Sequence, residues 1–285
     1  MLMDGFSVAK QVRMNIKNQV DNLKESGKRV PMLSVVIVGE DPASKTYVAS
    51  KARQCEEVGF LSQVIALDED ISQQEMELKI QELNDNDRVD GILVQLPLPN
   101  HLDENRIIET INPNKDVDGL HPINVGLLEL GQKGFIPCTP KGIITLLKAY
   151  DVDLEGKRVL VIGRSRLVGK PVASLLLREN ATVTIAHSKT KDLKERILES
   201  DIVVVAIGRK EFVSVDMLKK EHIVVDVGIH RHEGKLYGDV EKAAYEYVAM
   251  ATPVPKGVGP MTIASLLENT LEAYNLKEQE YEKRL

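Results

Sequence analysis

Cysteine is nearly absent: Cys55 and Cys138 are the only two in 285 residues. Two thiols in a chain this long make no disulfide framework, and neither has Cys or His neighbours at metal-ligand spacing. A reducing, cytoplasmic setting and no bound metal are therefore expected. Excess positive charge is also missing, since the formal net charge is −6. Nucleic-acid and anionic-membrane partners are not expected, because both call for a basic patch. The N-terminus lacks a basic stretch followed by an apolar run, so no signal peptide is expected. Apolar runs such as Ile202 to Ile207 are far too short to span a bilayer and instead suit buried strands. No internal repeat or low-complexity tract is visible.

What is present is an alternating α/β pattern long enough for two domains. Val8, Val12, Ile16, Val20 and Leu23 fall on one face of a helix. Strands are expected at Met32–Val38, Gln63–Leu67 and Gly91–Leu96. A helix entered at Asp41-Pro42-Ala43-Ser44 and stopped at Gly59 follows the first, and a helix at Gln73–Leu83 follows the second. Residues 112–142 are dense in turn formers and read as loop, with the domain junction near their end. The second half offers strands at Arg158–Ile162, Val183–Ala186, Ile202–Ile207, Ile223–Val227 and Tyr247–Met250, with a helix near Lys170–Arg178. Near-continuous apolar strands between helices indicate a doubly wound sheet. Beyond Pro260, an amphipathic helix carries Ile263, Leu266, Leu267 and Leu271. The charged tail Lys277–Leu285 is expected to be frayed or exposed.

The strand Arg158–Ile162 runs into Gly163-Arg164-Ser165-Arg166-Leu167-Val168-Gly169. Such a turn lets backbone N–H groups and a helix N-terminus approach a pyrophosphate. Ser165 replaces the middle glycine of the usual G-x-G-x-x-G, and a plain βα turn is the competing explanation. NAD enzymes place a carboxylate about 20 residues on, where it binds the ribose 2′-hydroxyl. Here the next strand ends Ala186-His187-Ser188-Lys189, without an acid. With Arg164 on the turn, this set favours a 2′-phosphate and thus NADP. His187 alone reads as a satisfied or surface histidine.

In the first half, Tyr47 and Lys51 lie four apart on one helix face, at the edge of the Val48, Ala52, Cys55 stripe. A snorkelling lysine beside a boundary tyrosine would look the same. Gln95 is a polar interruption near the C-terminal end of an apolar strand, where ligands meet α/β sheets; it could equally be satisfied by backbone. Asp116 and Asp118 flank a turn, and turn chemistry is accepted for Asp116. Pro253 to Thr262 is a proline- and glycine-rich loop leading into a helix, suited to close approach to a flat ligand or to a stiff linker.

Taken together, five segments resemble the bifunctional methylenetetrahydrofolate dehydrogenase/methenyltetrahydrofolate cyclohydrolase family. They are Tyr47-Val48-Ala49-Ser50-Lys51, Gly91 to Pro99, Lys115-Asp116-Val117-Asp118-Gly119, Gly163-Arg164-Ser165, and Pro253 to Thr262. The likeness covers essentially the whole chain, in order. It implies an N-terminal α/β folate/catalytic domain and a Rossmann-like, doubly wound NADP-binding domain with a cleft between them, in a homodimer. The implied bounds are 1–138 completed by a C-terminal helix at 262–285, and 139–261. Tetrahydrofolate derivatives are the implied substrates and NADP the cofactor.

By the same resemblance, Lys51 is the catalytic lysine, Tyr47 its partner and a pterin contact, Gln95 the residue that tunes the lysine, and Asp118 the pterin anchor. Val94, Leu96 and the loop Pro255, Lys256, Gly257, Val258, Gly259 map to the folate site. Gly163, Arg164, Ser165, Ser188 and Ile229 map to the cofactor. Lys256 departs from the family's usual glycine. The implied chemistry is hydride transfer to the nicotinamide, then addition of water to a methenyl cation. A free lysine titrates near about 10.4, so Lys51 serves as a base at neutral pH only if its environment disfavours the charge. Another NADP dehydrogenase of this architecture and a non-catalytic folate-binding homologue remain alternatives at this point.

Overall fold

The computed structural model describes residues 1–284. They fall into two compact units, each discontinuous in sequence. One contains Gln11–Ile136 and the chain from Leu266 onward; the other contains Met1–Lys10 and Pro137–Ser265.

In chain order the first-made elements are α1 (Gly5–Glu25), β1 (Met32–Val38), α2 (Pro42–Val58), β2 (Leu61–Leu67), α3 (Gln73–Asp85), β3 (Gly91–Val94), α4 (Glu104–Thr110) and α5 (Pro122–Glu129). The strands form a parallel sheet of order β2-β1-β3. β1 and β3 are almost wholly buried. Because alternate strand residues face opposite sides, such strands must be covered on both faces. Val36, Met76, Ile80, Ile92 and Ile107 are core residues here. The Asp41 carboxylate accepts from Ser44 N at the start of α2, and Gly59 closes the helix at φ 84°. Each cap satisfies backbone groups that the helix itself leaves open.

The other unit holds α6 (Cys138–Ala149), β4 (Arg158–Ile162), α7 (Gly169–Arg178), β5 (Thr182–Ala186), α8 (Leu193–Glu199), β6 (Ile202–Val205), β7 (Ile223–Asp226), β8 (His230–His232), β9 (Lys235–Tyr237), α9 (Ala244–Tyr247) and β10 (Met250–Ala251). Its five-stranded sheet is parallel throughout, in the order β10-β7-β6-β4-β5, while β8 and β9 form a small hairpin. In this order the chain reverses direction across the sheet between β4 and β6. A crevice at such a switch point is where doubly wound sheets bind ligands.

α10 (Val258–Arg284) closes the chain. Asn269 donates to the carbonyls of Val117 and Ile136, both at 2.9 Å. The Tyr274 hydroxyl donates to Arg29 O, and the Arg29 guanidinium lies 4.5 Å from the Tyr274 ring centroid. Arg29 also grips the buried Asp90 with two bonds of 2.7 and 2.9 Å and reaches Glu278.

Several sequence expectations need correction. β3 stops at Val94 rather than Leu96, although Gln95 N still donates to Val36 O. The 112–142 stretch is not all loop: α5 starts at Pro122, whose missing N–H costs nothing in a first turn, and α6 starts at Cys138. β6 stops at Val205. Tyr247 ends a short helix, so the expected Tyr247–Met250 strand is displaced to Met250–Ala251. α4, α8 and the β8–β9 hairpin correspond to no element expected from the sequence. The tail stays helical through Arg284, with Lys277 and Glu278 half-buried; Leu285 lies outside the described residues.

Candidate functional site

In the three-stranded unit, Lys51 on α2 and Gln95 just after β3 meet at the C-terminal end of the sheet. Lys51 Nζ donates to Gln95 Oε1 at 2.9 Å. The amide cannot turn freely, because Gln95 Nε2 donates to Leu96 O at 2.7 Å. Its oxygen is therefore the end presented to the amine. Tyr47 sits one helical turn before Lys51 and is 48% exposed. Cys55 and Val48 are buried below them, and burial pushes the Cys55 thiol up to about 12, so it stays an inert apolar neighbour.

Asp118 is half-buried on a turn that β3 positions. Ile92 N donates to Lys115 O at 2.7 Å, and Ile92 bridges Asp116 in parallel register. Asp116 builds the turn: its carboxylate accepts from Leu120 N, His121 N and the Asn124 amide. Burial pushes that carboxyl above the usual range while those donors pull it back. Lys115 Nζ donates to the carbonyls of Leu83, Asn84 and Asn86 and so caps α3; burial lowers it to about 8. Val94 is a core side chain with Leu96 packed beside it, so these two support the strand end.

The five-stranded unit holds the other set. Gly163 follows β4 at φ 128°, and a Cβ there would lie 2.2 Å from Ala206 O. A Cβ on Gly169 would lie 2.3 Å from Gly163 O. These two close approaches fix why glycine stands at both ends of the turn. The intervening Arg164 and Ser165 are exposed, so the middle position tolerates serine. Ser165 Oγ accepts from Val168 N and Gly169 N, which occupies donors at the start of α7. Ser188 and Lys189 are exposed on the turn after β5, and His187 is satisfied there, accepting from Lys189 N at Nδ1. Ile229 is 43% exposed after β7, with its Cδ1 3.3 Å from a Cβ built on Gly259.

Pro255 and Lys256 are exposed, and Lys256 adopts φ 84°. The loop is braced by a segment that sequence reasoning missed. Phe6 N donates to Lys256 O at 3.0 Å, and a Cβ on Gly5 would lie 2.0 Å from Gly257 O. Also missed was a buried pair, Asp226 and Asp239. The sequence signal for them is an aspartate within two residues of a glycine, in Asp226-Val227-Gly228 and Gly238-Asp239.

A parallel sheet with a glycine-bounded turn at its switch point defines a dinucleotide-binding α/β protein. Comparison with known proteins narrows the class. Residues 3–118 match the family model for the tetrahydrofolate dehydrogenase/cyclohydrolase catalytic domain, and residues 137–278 match the model for its NAD(P)-binding domain. The bifunctional protein FolD of Bacillus cytotoxicus is 51% identical over 274 residues, covering 95% of this chain and 96% of that one. A solved FolD methylenetetrahydrofolate dehydrogenase/cyclohydrolase from Campylobacter jejuni superposes with a TM-score of 0.95 at 49% identity, over 97% of this chain and 99% of that one. A Trypanosoma brucei methylenetetrahydrofolate dehydrogenase-cyclohydrolase, solved with NADP and an inhibitor, gives 0.93 at 37% identity, over 97% of each chain. The chain belongs to the tetrahydrofolate dehydrogenase/cyclohydrolase family.

Among the described residues no helix is long and apolar enough to cross a membrane, and no group of three His, Cys, Asp or Glu side chains is arranged to hold a metal ion.

Proposed function

We propose that this chain oxidises 5,10-methylenetetrahydrofolate to 5,10-methenyltetrahydrofolate with NADP and then hydrolyses that product to 10-formyltetrahydrofolate. The observation that carries the reading is the Lys51–Gln95 hydrogen bond, within the stretch that matches the family's catalytic domain. The relatives from Campylobacter jejuni and Trypanosoma brucei are named for both activities.

The turn after β4 fits a dinucleotide: Gly163 and Gly169 leave no room for a Cβ, and Arg164 and Ser165 between them are exposed. Gly163 and Ser165 would hold the pyrophosphate, with Arg164, Ser188 and Lys189 at the 2′-phosphate and Ile229 as a further cofactor contact. When bound, NADP supplies the hydride acceptor. The chain's own work in that step is alignment, with Tyr47 and Asp118 holding the pterin. Hydrolysis adds water to the methenyl carbon, opens the ring and releases one proton. Lys51 is the group that exchanges this proton, and Gln95 holds its amine. An amide oxygen accepts from either protonation state of an amine, whereas a carboxylate would favour the ammonium. Val94, Leu96 and the Pro255–Gly259 loop are the further folate contacts that the family resemblance implies.

The folate-handling domain in this reading is 1–138 with the C-terminal helix, and the nucleotide domain is 139–261. The enzyme acts as a cytoplasmic homodimer without nucleic-acid or membrane partners. β5 is an edge strand exposing Ile185, a surface suited to a second copy. Sedimentation at micromolar concentration tests the dimer.

The functional test is a spectrophotometric assay with NADP and NAD side by side. Reduced-folate-dependent formation of NADPH, followed by loss of methenyl absorbance, is expected. No folate-dependent reduction of NADP would overturn the reading.

A further inference from the structure

A polar cluster that the assigned residues do not use lies where β6 and β7 end. Asp239 is fully buried. Its Oδ2 accepts from Ile207 N at 2.8 Å and Gly208 N at 3.1 Å. Its Oδ1 accepts from Arg209 N at 2.8 Å and lies 2.8 Å from His230 Nε2. One carboxylate thus gathers three successive amides that follow β6 and an imidazole that follows β7. A Cβ on Gly228 would lie 2.2 Å from the same Oδ1, so the β7 loop is pressed directly against it. Asp239 is itself held in place, because its N–H donates to Asp226 Oδ1 at 2.8 Å. Asp226 in turn accepts from Val240 N and the Tyr245 hydroxyl.

The location gives this cluster its meaning. β6 lies beside β4 at the point where strand order reverses, and Ala206 O packs on Gly163 of the β4 turn. The loops after β6 and β7 are therefore tied to one buried carboxyl group, and the β4 turn rests on Ala206, the residue just before the first of them. Ile229, between Gly228 and His230, sits in the loop so held. Three successive amides at a strand end would ordinarily be open to a ligand anion. Here Asp239 consumes all three, which leaves phosphate recognition to the turn after β4.

We propose that Asp239 is a positioning residue for the dinucleotide: it locks the loops after β6 and β7 so that Ile229 meets the cofactor in a fixed place. The proposal rests on the reading that this unit binds NADP. Asp239 touches no reacting atom. Its effect passes through Ile207 to Arg209 and through His230, so it should appear as a change in cofactor affinity.

Two-activity kinetics make the test. Asp239→Asn keeps the side chain's size but turns an NH₂ group toward backbone donors. The Michaelis constant for NADP should rise about ten-fold or more, while cyclohydrolase turnover, measured on methenyltetrahydrofolate without NADP, stays within about two-fold of wild type. His230→Leu should raise the same constant less, and His230→Gln, which restores an N–H donor, should bring it back toward wild type.

A folded Asp239→Asn enzyme with an unchanged Michaelis constant for NADP would overturn the proposal. So would parallel loss of both activities at constant cofactor affinity, which marks a purely structural role. If Asp239→Asn does not fold, the histidine pair decides, and equal constants for His230→Leu, His230→Gln and wild type overturn it. Wild-type protein that fails to reduce NADP would instead overturn the functional reading beneath it.

Discussion

Lys51 donates to the side-chain oxygen of Gln95, so the amine is matched with an acceptor that carries no charge. Lys51→Met keeps the length and apolar stem and removes the proton-exchanging group. Cyclohydrolase activity should fall by ~100-fold or more. Dehydrogenase activity should fall less, because no proton moves in hydride transfer, and methenyltetrahydrofolate should accumulate visibly. Gln95→Glu should also depress hydrolysis selectively, by stabilising the ammonium. Retained cyclohydrolase in Lys51→Met would remove the lysine from the chemistry; equal loss of both activities would make it a folate-positioning group.

Arg164 is exposed on the turn between Gly163 and Gly169, and no acid ends β5. Arg164→Ala should weaken NADP by about 1.5–3 kcal/mol, the range for a hydrogen bond to a charged group. NAD turnover should be nearly unaffected. A parallel loss with both nucleotides, read from kcat/KM, would place Arg164 away from the 2′-phosphate.

Lys256 holds φ 84°, a left-handed conformation that glycine adopts without steric cost. Lys256→Gly should relieve that strain against the added freedom of the unfolded chain, for a net gain of up to about 1 kcal/mol. If the exposed ammonium meets the carboxylates of the folate tail, the same change raises KM for polyglutamylated substrate and spares kcat. Thermal unfolding checks the first effect. Unchanged KM at low salt rejects the second.

Asp226 carries a pH dependence. Burial pushes its carboxyl up to about 6, beyond what the Tyr245, Asp239 and Val240 donors can offset. A raised carboxyl favours the protonated fold. Its contribution is present in full below about pH 3.9, the unfolded value, and is lost as pH rises through about 6. Over that window the loss is at most ~3 kcal/mol. Asp226→Asn, which does not titrate, should therefore close on or overtake wild type in urea unfolding as pH rises from 4 to 7. A stability difference independent of pH would refute this.

How much of this was legible in the residues depends on how local each signal is. β1, α2 and β4 match their expected spans closely because apolar runs, an Asp-Pro start and a terminal glycine act within a few residues. Lys51 and Gln95 are 44 positions apart; helix periodicity marks the lysine and the strand pattern marks the glutamine, but only the family resemblance pairs them. α4, α5 and α8 are short, seven or eight residues, and their stabilisation comes from packing that a sequence window does not contain. Asp239 stayed hidden for the same reason. Its four donors come from segments up to 32 positions away, and only the fold brings them to one carboxylate.

Neither unit is a continuous run of chain, and this bears on biosynthesis. β1, β2 and β3 leave the ribosome early, yet Asn269 and Tyr274, which bond to Val117, Ile136 and Arg29, are made more than 130 positions after the last of these. A nascent chain therefore carries an unfinished three-stranded body through synthesis of almost all of the five-stranded one. Long-range closure of this kind is slow and leaves apolar surface open while it waits. Truncation near residue 265 should release a product that chaperones retain, even though every strand of both sheets has already been translated.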